Sequence, residues 1–440
     1  MPPTHWHFWQ TLPADARSNL PYSDMRICHI ISRIDATADG TLVGGPPNTM
    51  RCLAKKQSAM GHDVSILAGC PGREAISNAR RAFSPMHLRP IPITRSFAGP
   101  LRGIQFLAKG LSHGILCRKA IKAHQVLHSH SGYSQLALLA SAIGKLCDVP
   151  TVHTLYCPVI GEVEEHRNWF LTTKTARISL KGIDRIVAIS ENIRRSLISC
   201  GIEQNRIRVI PPGIDTSRFH PDVDPRRWRE RLRIPEGGRL VVYLGNLVKA
   251  KGLDVMIESL KCVAREVSPL FFAYALQNQH RRFEIRRQQY RDALEQIPLA
   301  GPALELGPVP RIEELLAAAD VFVSPLRTTN GLADYPISVM EAMAVGRPVV
   351  STAVGGVKEV ISHETNGLLA APGDPEDLAR QIVRVLTSPS LAAELGFNAR
   401  RRIEEHYSMD RCASDVMNLY DEVLATHQVP VQSRTVRDGL

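Results

Sequence analysis

No apolar run in the 440-residue chain reaches the ~18–20 residues of a membrane-spanning helix. The first residues also lack the apolar core of a signal peptide. If the chain meets a membrane, it is expected to lie on it. The nine cysteines are scattered, odd in number and never spaced as Cys-x-x-Cys, so neither a disulfide framework nor a cysteine zinc site is indicated. A cytoplasmic protein is the expectation. Acidic residues are in deficit, 43 against 54 basic ones, for a formal charge of +11 and a pI near 9.3. Anionic partners therefore suit the chain, whether nucleotide diphosphates, phospholipid headgroups or nucleic acid. The G-x-G-x-x-G fingerprint of dinucleotide enzymes is missing, and so is the acid that follows it.

What is present reads as a soluble globular protein, 44% hydrophobic and 22% charged. Residues 1–24 show no period and are expected to be a disordered leader. From Met25 the chain alternates short apolar runs of strand length with amphipathic stretches, the pattern of βαβ units on a parallel sheet. Expected strands fall at Met25–Ile34, Asp63–Ala68, Gln125–Ser129, Thr151–His153, Asp184–Ser190 and Arg206–Ile210. Ser190 is placed to cap the helix that follows it. After a proline-rich linker, Thr216–Gly238, a second series begins with LVVYLG at 240–245. The division expected is a first domain at 25–215, a second at 216–408, a last helix at 409–426 packing back on the first domain, and a tail at 427–440. Two open α/β domains in succession imply a cleft at the C-terminal ends of their strands.

Between Pro90 and His124 lies a basic stretch whose Ile104, Leu107, Leu111, Ile115 and Leu116 follow a helical period among Arg102, Lys109, Arg118, Lys119 and Lys122. It reads either as a core-facing helix with a solvated basic face or as a dock for an anionic membrane. Arg281, Arg282, Arg286 and Arg287 form a second basic cluster. No stacking aromatics or RNA-binding motif accompany it, so no nucleic-acid partner is expected. Asp222-Val223-Asp224 has the form of a D-x-D metal motif but sits between prolines in the linker. His128 and His130 would share a strand face with no third ligand apparent, so no metal and no other cofactor are expected.

The most informative stretch is Gly331–Gly356, GLADYPISVMEAMAVGRPVVSTAVGG. Pro336 suits a first helical position and Gly346 with Pro348 a stop, which gives a helix over 336–345. That helix is apolar nearly all round, and Glu341 is its only charge. Burying a carboxylate there requires hydrogen-bond donors, which a ribose diol, a backbone amide or an arginine would supply. The free amides at the helix start, around Pro336, Ile337 and Ser338, could hold a phosphate.

The run PISVMEAMAVGRPVVSTAVGG resembles the nucleotide-sugar signature of the retaining glycosyltransferases of family 4, E-G-F-P-x-x-x-x-E-A-M-A-x-G-x-P-V-V-x-T-x-x-G-G. The resemblance implies the GT-B fold of two facing Rossmann-like domains. It also implies transfer of a sugar, with retention, from a nucleotide diphosphate sugar to a hydroxyl acceptor. By the same resemblance Glu341 holds the ribose, Gly44 and Gly45 lie over the donor diphosphate, and Lys251 of G-N-L-V-K-A-K-G (245–252) neutralises it. In that motif Asn246 replaces the family's arginine, so either Arg327 or Lys249 compensates or the leaving group is less well stabilised. In VPTVHTLYCPV (149–159), Tyr156 or His153 falls at the family's active-site histidine, depending on register. Ala333 stands where the family has its first glutamate; either Asp334 beside it contacts the donor sugar or the pocket reads another sugar. A GT-B epimerase or phosphorylase and a degenerate sugar-nucleotide-binding protein are the rival readings.

Overall fold

The computed structural model describes residues 24–42, 44–70, 72–92, 118–132, 135–159, 173–276, 283–330 and 332–427. The leader before Asp24, the basic stretch as far as Cys117, Arg281, Arg282 and the tail after His427 lie outside them. Among the described residues no helix is long and apolar enough to cross a membrane.

The strands form two wholly parallel sheets. The first takes β1 (Arg26–Ile31), β2 (Asp63–Cys70), β3 (His87–Pro92), β4 (Val126–Ser131), β5 (Thr151–Leu155), β6 (Arg185–Ala188) and β7 (Ile207–Val209) in the order β3-β2-β1-β4-β5-β6-β7. The second takes β8 (Arg239–Gly245), β9 (Leu270–Leu276), β10 (Leu304–Leu306), β11 (Val321–Ser324), β12 (Val349–Thr352) and β13 (Leu368–Ala370) in the order β10-β9-β8-β11-β12-β13. Both orders are doubly wound, with helices on either face. Central strands such as β1 and β8 are therefore buried on both faces, which is why they read as unbroken apolar runs rather than alternating ones.

Two strands escape the sequence pattern. His87–Pro92 contains Pro90 and Pro92, which a central strand would not tolerate; at the edge of the sheet their missing N–H groups cost no ladder bonds. Leu368–Ala370 is too short to show a period.

The helices that build the site are α1 (Gly45–Ala59), α2 (Gln135–Cys147), α3 (Glu191–Ser199), α4 (Leu253–Glu266), α5 (Ile337–Ala344), α6 (Pro375–Thr387), α7 (Pro389–His406) and α8 (Met409–His427). The chain crosses between the units at residue 214 and again after α7. The crossings bond to each other, Ile214 N–H donating to Tyr407 O and Met409 N–H to Ile214 O, both at 2.8 Å. Having returned, α8 buries Val416, Tyr420 and Val423 against Ile27, Val126 and Val152 of the first sheet and Leu53 of α1. Apolar packing is also continuous across the seam, where Leu155 and Tyr156 share a cluster with Tyr335 and Val339.

Candidate functional site

Two helix starts meet where the sheets' C-terminal edges face each other. Helix α1 begins at Gly45 behind an N-cap, Gly44, at φ 102°, a conformation that favours glycine. Helix α5 begins at Ile337 with Pro336 as its N-cap, one residue before the helix rather than inside it. Neither start has a side-chain cap or an acidic residue in its first turn. A Cβ on Gly45 would lie 3.8 Å from Ile337 Cγ1, so the two starts are nearly in contact. Of the first three residues of α1 only Gly45 has an N–H, since Pro46 and Pro47 lack one, whereas α5 offers the amides of Ile337 and Ser338. None of these has a carbonyl to bond within its helix, and both dipoles present their positive ends to the same gap.

Two charges line this region without partners. Glu341 is partly buried on α5, and its carboxylate has no hydrogen bond or ion pair among the described residues. Loss of solvation pushes its pKa up to about 7; Arg218 opposes that rise, and Glu313 adds to it. Arg218 is itself bonded to Glu313 at 2.7 Å, so it does not neutralise Glu341. Lys251, which ends the turn before α4, also lacks a partner for its ammonium among the described residues, and burial pulls its pKa down to about 8. Beside it lies Cys157, whose thiol is buried and pushed up to about 12. Asn246 spends its side-chain oxygen on the Val248 amide at 3.0 Å, which leaves its NH2 as a donor. Arg327 does not supply the missing charge, because its guanidinium is paired with Asp254 at 2.7 Å. Lys249 is exposed.

The two residues expected at the family's histidine position both turn inward. His153 is fully buried on the α2 side of the sheet, its Nδ1 2.8 Å from Ser129 Oγ and its Nε2 unbonded among the described residues; burial lowers its pKa to about 3. Tyr156 is buried, and its hydroxyl lies 3.2 Å from His130 Nδ1, beneath α1 and α8. Neither side chain is presented to the gap between the helix starts.

The sheet also supplies the third histidine that the sequence did not reveal. Parallel register sets His29 of β1 directly beside His128 of β4, with His130 on the same face. Ring nitrogens of the three come within 4.8 Å of one another. All of them are already committed. His130 Nε2 meets His29 Nδ1 at 2.8 Å, His29 Nε2 meets Gln57 Oε1 at 2.7 Å, and His128 bonds Tyr420 and Thr154 at 2.6 and 2.7 Å. A nitrogen pair at 2.8 Å shares a proton; on a zinc ion with ordinary bond lengths the two would stand ~3.3 Å apart. Burial holds all three neutral, His29 at about 4 and the other two well below the usual histidine range. The geometry is that of a hydrogen-bonded chain from Gln57 through His29 and His130 to Tyr156.

Asp334 is likewise not open to a sugar. Its side chain is fully buried and accepts from Ser190 Oγ at 2.5 Å and Asn192 Nδ2 at 3.0 Å, while its N–H donates to Tyr156 O at 2.9 Å. Ser190 and Asn192 belong to the first unit, so the bonds span the seam. Glu359, from the second unit, accepts the Glu191 and Asn192 amides at 2.9 and 3.0 Å. The expected capping by Ser190 is present too, with Oγ accepting from Ile193 N–H at 3.0 Å. Asn192 and Glu359 carry no motif of their own, and only the fold shows that they meet. Gly355 and Gly356 are needed beneath, because a Cβ at either would run into the Asp334 carboxylate. Elsewhere Asp224 pairs with Arg226 and Asp222 is open to solvent, Arg287 pairs with Glu305, and Arg286 bonds the Leu247 carbonyl.

Residues 43–218 match the family described as Glycosyltransferase Family 4, and residues 238–388 match Glycosyl transferases group 1. A D-inositol 3-phosphate glycosyltransferase of Xylanimonas cellulosilytica is 26% identical over 359 residues, covering 76% of this chain and 82% of its own. An alpha-maltose-1-phosphate synthase of Mycolicibacterium smegmatis is 26% identical over 342 residues, covering 74% of this chain and 86% of its own. The crystal structure of HepE from Anabaena in complex with UDP and glucose superposes with a TM-score of 0.71 at 16% identity, covering 90% of this chain and all of that one.

Proposed function

The chain is a glycosyltransferase of family 4 with the GT-B fold, and from that premise we propose that it transfers a sugar, with retention of configuration, from a nucleotide diphosphate sugar to a hydroxyl acceptor. The observation that carries this reading is the pair of unpartnered charges, Glu341 and Lys251, beside two uncapped helix starts. A nucleotide diphosphate would satisfy all of them together. The ribose diol supplies two O–H donors to Glu341, the phosphates accept from the amides of Gly45, Ile337 and Ser338, and Lys251 offsets the charge that grows as the diphosphate leaves. Asn246 adds a neutral donor in place of the family's arginine. With helix dipoles and an ammonium carrying the phosphate charge, the reaction is proposed to need no metal.

Neither Tyr156 nor His153 offers a base to the gap among the described residues, since both point into the first unit. The departing phosphate is therefore assigned the acceptor's proton, which fits a retaining transfer made without paired carboxylates of glycosidase type. The UDP held by HepE makes a uridine donor the first to try. The name of the inositol 3-phosphate glycosyltransferase supports adding a small phosphorylated polyol to glycans and lipid carriers as acceptors to try.

Thermal shift against UDP, GDP, ADP and dTDP sugars tests the donor assignment. A ligand at 100 times its Kd adds about 2.7 kcal/mol of stability, enough to register. One nucleotide sugar should shift the wild type and not Glu341→Ala; an equal shift in both would sink the ribose assignment.

A further inference from the structure

We propose that Ser190 and Asn192 are positioning residues for sugar transfer, gripping Asp334 across the seam and thereby fixing the start of α5. The proposal rests on the reading of α5 as part of the donor site. Asp334 is a fully buried carboxylate without a Lys or Arg ion pair among the described residues. Such a group persists only where donors replace its lost water. Both of its side-chain donors come from the first unit, at 2.5 and 3.0 Å, and its own amide bonds the first unit's Tyr156 carbonyl at 2.9 Å. All three ties cross the seam.

The N-terminus of α3 adds a favourable field at this point, and Glu359 accepts its first two free amides. Tyr335, next to Asp334, donates to the same Glu359 at 2.7 Å. The segment 332–336 is thus held from one side by the first unit and from the other by Gly355 and Gly356. Pro336, the N-cap of α5, is two residues from Asp334, so a shift of Asp334 is passed directly to the Ile337 and Ser338 amides. If the units part, Asp334 loses every donor that these contacts supply and water must replace them. The geometry of the α5 start is therefore a property of the closed arrangement. Because water in the open state can take the place of the donors that hold Asp334 in the closed one, the grip can release between turnovers.

The test compares full-length wild type with Ser190→Ala/Asn192→Ala, Asp334→Ala and Asp334→Asn. For the double variant we expect kcat to fall about tenfold or more, in line with a misplacement of a fraction of an ångström. Its Kd for the free nucleotide should weaken by less than kcat falls, and its radius of gyration without ligand should increase in solution scattering. Asp334→Asn should recover most of the rate lost in Asp334→Ala, since an amide can accept from Asn192 and donate to Ser190. Unchanged kcat and radius in the double variant would overturn the proposal. So would Asp334→Asn failing as badly as Asp334→Ala with the radius unchanged, because the charge itself would then be acting on the donor sugar. A wild-type chain that binds no nucleotide sugar would instead overturn the donor reading and the positioning role built on it, leaving scattering to report on the seam alone.

Discussion

Two buried polar centres lie within the same molecule, one under the first sheet and one in the seam, and they differ in how their hydrogen bonds are met. Under the first sheet, His29, His128 and His130 are fully enclosed, and each ring nitrogen finds a protein partner. In the seam, Glu341 and Lys251 are only partly enclosed and have none among the described residues. A polar cluster that closes on itself contributes to stability and fixes packing; one left open marks where a ligand completes the set. Histidines draw the eye more readily than one glutamate in an apolar helix. Yet the partner count assigns them the structural task.

The largest effect expected from breaking this comparison is at Lys251. Lys251→Met should lower kcat by roughly 10²–10³-fold, the usual cost of losing a fixed group aimed at developing charge, while nucleotide affinity measured by calorimetry falls much less. Equal losses in both would mean that Lys251 binds ground state and transition state alike. Next in size is Glu341→Gln, which keeps the shape but removes the charge that accepts the diol. Its nucleotide affinity should drop by ~10–100-fold, the range of one or two charged hydrogen bonds.

A smaller, few-fold effect follows from pH. The carboxyl of Glu341, raised to about 7, must ionise to accept the ribose hydroxyls, so affinity should climb as pH passes through 7. The ammonium of Lys251, lowered to about 8, loses its charge above that value, so affinity should fall again. Titrations with a nucleotide sugar, whose diphosphate does not titrate between pH 6 and 9, should therefore trace a bell with its top between 7 and 8, and Glu341→Gln should flatten the acid limb alone. The unliganded protein follows a different rule. A carboxyl whose folded pKa lies above its ordinary value favours the fold at low pH, and that contribution is lost as pH rises from about 4.5 to about 7. The thermal shift caused by nucleotide should thus grow over the window in which the unliganded Tm declines.

The smallest effect on binding, and a clear one on stability, is expected at His29. His29→Leu leaves His130 Nε2 and Gln57 Oε1 without their partner in a closed interior, which costs about 1–3 kcal/mol. The melting temperature should drop while nucleotide affinity stays within error. A folded variant with weakened affinity would erase the distinction between the two centres.

Much of the fold is legible in the chain, because period and punctuation are local. The apolar runs at Asp63–Ala68 and Leu240–Gly245, the glycine pair before α1, and the Pro336–Gly346 frame of α5 each declare an element without knowledge of the rest. Pro90 and Pro92 hide an edge strand, because proline argues against a strand unless its place at the edge is known. The site is legible only where one residue is out of character with its own neighbours. Glu341 stands alone in an apolar helix, and Lys251 lies in a matched motif. His153 and Tyr156 could not be separated in sequence, since the choice depends on which face of β5 each occupies and what covers it.

The sequence by itself determined the class of fold, its division into two sheets and the helix that carries Glu341, all of which follow from local periodicity and short-range spacing, while the family followed from the resemblance of one motif. Tertiary structure alone decided which polar residues are free. His29 completes the histidine cluster through register between strands about a hundred residues apart, and Ser190 captures Asp334 from 144 residues away. Hydrogen bonds are made in space rather than along the chain, so whether a buried charge is satisfied or waiting for a ligand becomes known only once the two units are set against each other.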